Sequence, residues 1–167
     1  MPRNIEIKAR ARQFETQRRV AEELGNGNVE RVVQEDTFFN VSTGRLKLRV
    51  VEDGRGELIY YERPDSTGPK ESQYVRSKVD DPTELREVLS RALGVRAILR
   101  KKRSVYFHGQ TRIHFDEVEQ LGSFIELEVE LQPHQTVEEG TAIARELIAR
   151  LKIEIEDFVP VAYVDLL

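Results

Sequence analysis

The sequence predicts an α+β fold dominated by β-structure, with about eight antiparallel strands, about three flanking helices and a charged face turned toward a hollow interior. Three observations carry this. Polar and apolar residues alternate with a period of two over most of the chain, the mark of strands with two unlike faces. Three stretches break that period with helical spacing and capping residues. The charges on the polar strand faces are sorted by sign, whereas a solvated face normally mixes signs because adjacent like charges repel.

Asn4-Ile5-Glu6-Ile7-Lys8-Ala9-Arg10-Ala11-Arg12 alternates polar and apolar and gives a first strand over 4–12. A helix over 15–24 ends at Gly25. Residues 29–40 and 44–52 form a hairpin turning at Ser42-Thr43-Gly44. Residues 56–63 give a fourth strand, Pro64 to Pro69 a loop by composition, and 72–79 a fifth strand. Asp81 before Pro82 is an N-cap followed by a first-turn proline, opening a helix over 82–93 that stops at Gly94. Both Gly25 and Gly94 are placed as left-handed glycines just past a helix end. Strands over 96–108, 110–118 and 121–131 follow, with a tight turn between Asp116 and Gly122. A last helix over 136–151 carries Val137, Ala142, Ile143, Leu147, Ile148 and Leu151 as its apolar stripe. No linker or low-complexity stretch interrupts the 167 residues, so a single domain over 1–167 is expected.

Composition narrows the chemistry. With no cysteine and only three histidines (His108, His114 and His134), a zinc site of the usual nitrogen–sulfur type is disfavoured, and a metal would be a hard cation held by carboxylates. No apolar run approaches the roughly 20 residues that span a bilayer. Structure-forming sequence from Asn4 onward and the missing cysteines favour a cytoplasmic location with no membrane contact. A net charge of −4 argues against general nucleic-acid binding, while a homodimer is left open.

The polar faces hold the candidate site. Arg45, Lys47 and Arg49 lie at i, i+2 and i+4 and share one face, and Lys101 with Arg103 repeat the pattern. Glu126, Glu128 and Glu130 line another face, Glu6 and Lys8 a third, and Arg112, His114 and Asp116 a fourth. One reading is a sheet with an ordinary solvated face. The other has helices over the large apolar residues (Ile5, Ile7, Leu46, Leu48, Ile113, Phe115, Ile125, Leu127 and Val129) and the charges inside. Clustered inward cations then require a bound anion, and clustered inward glutamates a metal. A triphosphate bridged by Mg²⁺ or Mn²⁺ satisfies both demands. Among the histidines, His114 alone is placed as a candidate proton carrier; Tyr60, Tyr61 and Tyr106 are read as packing residues.

In this order, these residues resemble the CYTH family of triphosphate tunnel metalloenzymes over nearly the whole chain. Asn4-Ile5-Glu6-Ile7-Lys8 resembles the family's Glu-x-Glu-x-Lys, with Asn4 standing in place of its first glutamate. Arg45 to Arg49 and Lys101-Lys102-Arg103 resemble its basic strands. Arg112 to Asp116 and Gly122 to Glu128 resemble its closing hairpin. The resemblance implies an eight-stranded antiparallel barrel forming a triphosphate tunnel, a divalent cation (Mg²⁺ or Mn²⁺) and a small-molecule triphosphate such as ATP. It implies Glu6, Asp116, Glu126 and Glu128 as metal-side residues, and Lys8, Arg45, Lys47, Arg49, Lys101, Arg103 and Arg112 as phosphate-side residues. Glu6, Lys8 and Arg112 are then the catalytic candidates. Tyr61-Glu62-Arg63-Pro64 departs from the lysine many members carry there, with Arg63 as a substitute.

Arg103 to Gly109, the Asp116 hairpin and the terminal Tyr163-Val164-Asp165-Leu166-Leu167 resemble the class IV adenylyl cyclases best, which implies conversion of ATP to cyclic AMP and pyrophosphate. Hydrolysis of inorganic, thiamine or nucleoside triphosphate uses nearly the same residues and stays open. So does a barrel that binds a phosphorylated ligand or an RNA end without turnover.

Overall fold

In the computed structural model, which describes residues 2–167, the chain runs β1 (Arg3–Arg10), α1 (Phe14–Leu24), β2 (Val29–Phe39), β3 (Arg45–Val51), β4 (Gly56–Glu62), β5 (Lys70–Val79), α2 (Pro82–Leu93), β6 (Val95–His108), β7 (Thr111–Val118), β8 (Gly122–Glu130) and α3 (Val137–Arg150). Short 3₁₀ turns follow at Ile155–Asp157 and Tyr163–Leu166. The strands close into an antiparallel barrel in the order β1-β5-β4-β3-β2-β6-β7-β8. Closure leaves no strand edge unpaired.

The barrel is built with its apolar face outward. Ile7 and Ala9 of β1, Tyr106 of β6, Ile113 and Phe115 of β7 and Ile125 and Leu127 of β8 pack against Ala21 and Leu24 of α1 and Leu147 and Leu151 of α3. Each large apolar side chain so covered contributes about 1.5–3 kcal/mol. Alternation then forces the intervening polar residues into the lumen. Gly140 lets α3 lie close to the barrel: a Cβ there would come within 2.6 Å of Ile5 and 2.5 Å of Leu131 side-chain atoms. Reciprocal capping of Thr136 and Glu139 starts α3, and Asp81 accepts from the Glu84 amide to start α2.

Several expected boundaries move. β1 stops at Arg10: the Ala11 amide makes one last ladder bond to the Ser123 carbonyl, and Arg12 beyond it reaches Asp157. β5 starts at Lys70 because that residue pairs with Glu6. Gly94 is left-handed at φ 80°, as expected, but Gly25 is not. At that end Asn26 (φ 51°) and Gly27 (φ 79°) reverse the chain instead.

The C-terminal segment decides the shape of the lumen. Val159 donates to the Lys8 carbonyl, and Tyr163 and Val164 pack with Phe38, Ile59, Leu99 and Phe124 inside one end of the barrel. That end is closed by an apolar plug. The other end opens between Val32, Val51, Arg76 and Phe107. No helix among the described residues is long and apolar enough to cross a membrane.

Candidate functional site

The lumen is a cavity of about 1080 Å³ whose two walls carry opposite chemistry. The β3–β2–β6 wall carries two pairs of cations, each pair held by one buried aspartate. Asp36 takes Nε and Nη2 of Arg49 at 2.8 Å each and Lys47 Nζ at 3.4 Å. From the neighbouring β7, Asp116 takes Nε and Nη2 of Arg103 at 2.7 Å each and Lys101 Nζ at 3.8 Å. These contacts follow from register, since Asp36 lies opposite Arg49 and Arg103 opposite Asp116. Burial, reinforced by neighbouring arginines, lowers both Lys47 and Lys101 from the usual lysine range. Burial alone would raise Asp116, but Arg103 and Lys101 hold it far below the usual carboxylate range.

The opposite wall, β7–β8–β1, carries His114, Glu126, Glu128, Asn4 and Glu6. One donor atom from each of His114, Glu126 and Glu128 lies within 4.8 Å of the others. Glu128 accepts from Asn4 Nδ2 at 3.1 Å and faces Arg112 Nη2 at 3.5 Å. Glu6 is turned to Arg63, Oε1 to Nη1 2.9 Å. Its carboxyl is pushed up to about 7 by burial and by the charges of Glu128 and Glu126. Lys8 lies near the plug, 3.7 Å from Glu126 and 3.8 Å above the Tyr163 ring. Burial brings Lys8 down to about 7 against the opposing pull of Glu126.

The structure therefore brings Glu6, Lys8, Lys47, Arg49, Lys101, Arg103, Arg112, Glu126 and Glu128 around one cavity. Two candidates fall elsewhere. Arg45, first residue of β3, lies beyond the main cavity and pairs with Asp65 (3.2 Å) and Asp165 (2.8 Å). Asp116 is fully buried behind Arg103, and its Oδ2 also accepts from Tyr163 Oη at 2.8 Å, so both its oxygens are engaged. Of the three tyrosines, Tyr106 packs under α1 as expected, whereas Tyr61 faces the lumen, with Lys47 Nζ 5.2 Å from its ring centre.

Asp36 and Phe107 were not singled out by sequence, and Tyr163 was noted only within the C-terminal segment. Asp36 was readable: counting back from the Ser42–Gly44 turn sets it opposite Arg49. For Tyr163, the C-terminal segment was open to closing one tunnel mouth, but nothing local says that its tyrosine reaches Asp116.

The residues present suit a divalent cation. Two carboxylates and an imidazole converge, and two further buried atoms on this wall, Asn4 Oδ1 and His114 Nδ1, have no hydrogen-bond partner. Glu6, held partly protonated near pH 7 by crowding with Glu126 and Glu128, is also a group that a nearby cation would relieve.

The sequence matches the CYTH domain family over residues 2–163. The chain belongs to the CYTH family. Members of this family are metal-dependent enzymes that act on triphosphates. Among solved structures, the PH1012 protein of Pyrococcus horikoshii OT3 superposes with a TM-score of 0.84 at 27% identity, covering 98% of this chain and 99% of its own. A conserved hypothetical protein of Pyrococcus furiosus gives 0.83 at 24% identity, with the same coverage of 98% and 99%. A Hippeastrum protein, taken for an adenylyl cyclase and described as having a dominant triphosphatase activity, gives 0.67 at 17% identity over 95% of this chain and 91% of its own. A search of curated proteins finds no match.

Proposed function

We propose that this CYTH protein is a divalent-metal-dependent enzyme acting on the triphosphate chain of a nucleotide, and that it cyclises ATP to cyclic AMP and pyrophosphate. One observation carries the reading: a lumen closed at one end, with aspartate-anchored cations on one wall and a carboxylate–imidazole cluster on the other. A triphosphate fits between such walls with its charge met from both sides. The cavity is also larger than a bare triphosphate needs, leaving its open end for a nucleoside.

Lys47, Arg49, Lys101 and Arg103 hold the phosphate chain, fixed in advance by Asp36 and Asp116, which act as positioning residues. Glu126 and Glu128 would hold the cation, and Glu6, now paired with Arg63, would be the further carboxylate on that wall. The bound cation would supply further neutralisation of phosphate oxygens. The 3′-hydroxyl oxygen bonds to the α-phosphorus as its proton passes to solvent at the open mouth, the bond from the α-phosphorus to the α–β bridging oxygen breaks, and the lysines and arginines of the closed end stabilise the departing pyrophosphate. Arg112, at the cavity mouth, meets the phosphate nearest the nucleoside.

Hydrolysis of the terminal phosphate is the second reading, and Lys8 favours it. A lysine brought down to about 7 at the closed end is a base placed where the terminal phosphate of a tail-first substrate arrives.

The test is product analysis from ATP, inorganic triphosphate and thiamine triphosphate with Mg²⁺ or Mn²⁺. Cyclic AMP with pyrophosphate is the expected result. Orthophosphate without cyclic AMP establishes hydrolysis, and no turnover with any pair leaves a binding barrel.

A further inference from the structure

The carboxylate wall contains one donor of a different kind. His114 is a nitrogen base on β7, its side chain only 5% exposed, in a lumen whose other anionic donors are oxygens. Its Nε2 lies 2.9 Å from Glu128 Oε1, and its Nδ1 is buried without a hydrogen-bond partner. β7–β8 register explains its position: His114 lies opposite Glu126, and Arg112 opposite Glu128, so the imidazole sits at the level where the two glutamates converge.

We infer that His114 is itself a ligand of the divalent cation, making with Glu126 and Glu128 a mixed nitrogen–oxygen site that prefers Mn²⁺ to Mg²⁺. The inference rests on the metal-dependent reading above and adds to it the ligand set and the metal preference. Mg²⁺ demands hard oxygen donors and parts reluctantly with water, so a nitrogen ligand gives it little. A first-row transition ion gains from imidazole. A neutral imidazole offers the lone pair of its unprotonated ring nitrogen, which is the form a metal takes. Asn4 supports the same site: its Nδ2 is spent on Glu128, and its unpartnered Oδ1 keeps one neutral oxygen on this wall. A histidine so engaged is not free to carry protons, which replaces the proton-carrier role expected from sequence.

The experiment is electron spin-echo spectroscopy of Mn²⁺ bound to the unaltered protein, paired with calorimetric titration of Mn²⁺ and Mg²⁺. Nitrogen-14 modulation from a directly bound imidazole is expected, kept in His108→Gln and lost in His114→Gln. The ratio of Mn²⁺ to Mg²⁺ affinity should fall by about tenfold or more in His114→Gln. A histidine that merely positioned Glu128 would weaken both metals equally and give no modulation. Bound Mn²⁺ without nitrogen coupling in the native protein overturns the inference and leaves the metal-dependent enzyme standing. No Mn²⁺ binding at all overturns both. The decisive spectrum is of the native chain, so it does not depend on a variant folding.

Discussion

Arg103 and Asp116 face each other across β6 and β7 as a two-pronged pair, Nε and Nη2 each 2.7 Å from a different carboxylate oxygen, with Asp116 fully buried. Since Asp116 also holds Lys101 and Tyr163, it fixes a whole corner of the lumen without presenting an oxygen to it. Asp116→Asn therefore leaves two buried cations short of charge, at a cost of about 3–5 kcal/mol, or roughly 10 °C in melting temperature for a chain of this size. Saturating triphosphate should narrow that gap, because the ligand's oxygens supply the missing charge. Melting curves with and without inorganic triphosphate check it; an equal gap in both would mean that the anion does not reach this corner.

Lys101 tests the opposite trade. Burial and the charges of Arg103 and Arg49 hold its pKa well below the usual lysine range, so its charge is tolerated rather than stabilising in the empty tunnel. Lys101→Met should raise the stability of the ligand-free protein by about 1 kcal/mol. The same change should lower kcat/KM by about 100-fold, as loss of a preorganised donor does. Denaturant unfolding and steady-state kinetics on one preparation decide it.

The strands and their inward face were legible because alternation is local, and a period of two assigns each residue to a side. What alternation cannot give is position along the barrel. Arg45, Lys47 and Arg49 share a face as expected, yet Arg45 falls past the lumen's end and is taken by Asp165, 120 residues further on. The plug was hidden for the same reason: Tyr163 enters the barrel through contacts with Asp116, Lys8 and Phe124 that no window of sequence contains. Arg63, marked only as a substitute for a family lysine, proves to hold Glu6.

Glu6 gives the pH dependence. Burial and the charges of Glu128 and Glu126 raise its folded-state pKa from 4.5 to about 7. Between those values the folded state holds a proton that the unfolded state has lost, so this group's contribution is full below pH 4.5 and is lost as pH rises to 7. With chelator present, Glu6→Gln, which mimics the protonated form, should be more stable than the native chain at pH 7.5 by up to about 3 kcal/mol. At pH 4.5 the difference should nearly vanish. Added Mn²⁺ should reverse the order at pH 7.5 and release about a quarter of a proton on binding, since a group titrating at about 7 is mostly ionised there, and calorimetry in two buffers of different ionisation enthalpy measures it.

Phe107 separates the substrate classes. It is the next lumen-facing residue after Arg103 and Val105 on β6, stands at the open mouth with Val32 and Val51, and is 39% exposed. A large aromatic left in water beside an anion tunnel is suited to stack on a base, and such stacking is worth about 1–3 kcal/mol. Phe107→Ala should therefore raise KM for ATP by about 5–100-fold. It should leave KM for inorganic triphosphate unchanged, since that substrate has nothing to place at the mouth. Equal effects on both would put the nucleoside elsewhere, and with the far end plugged by Tyr163 and Phe124 the described residues form no second apolar mouth to offer it. An inorganic triphosphatase would then be the better account of the cavity.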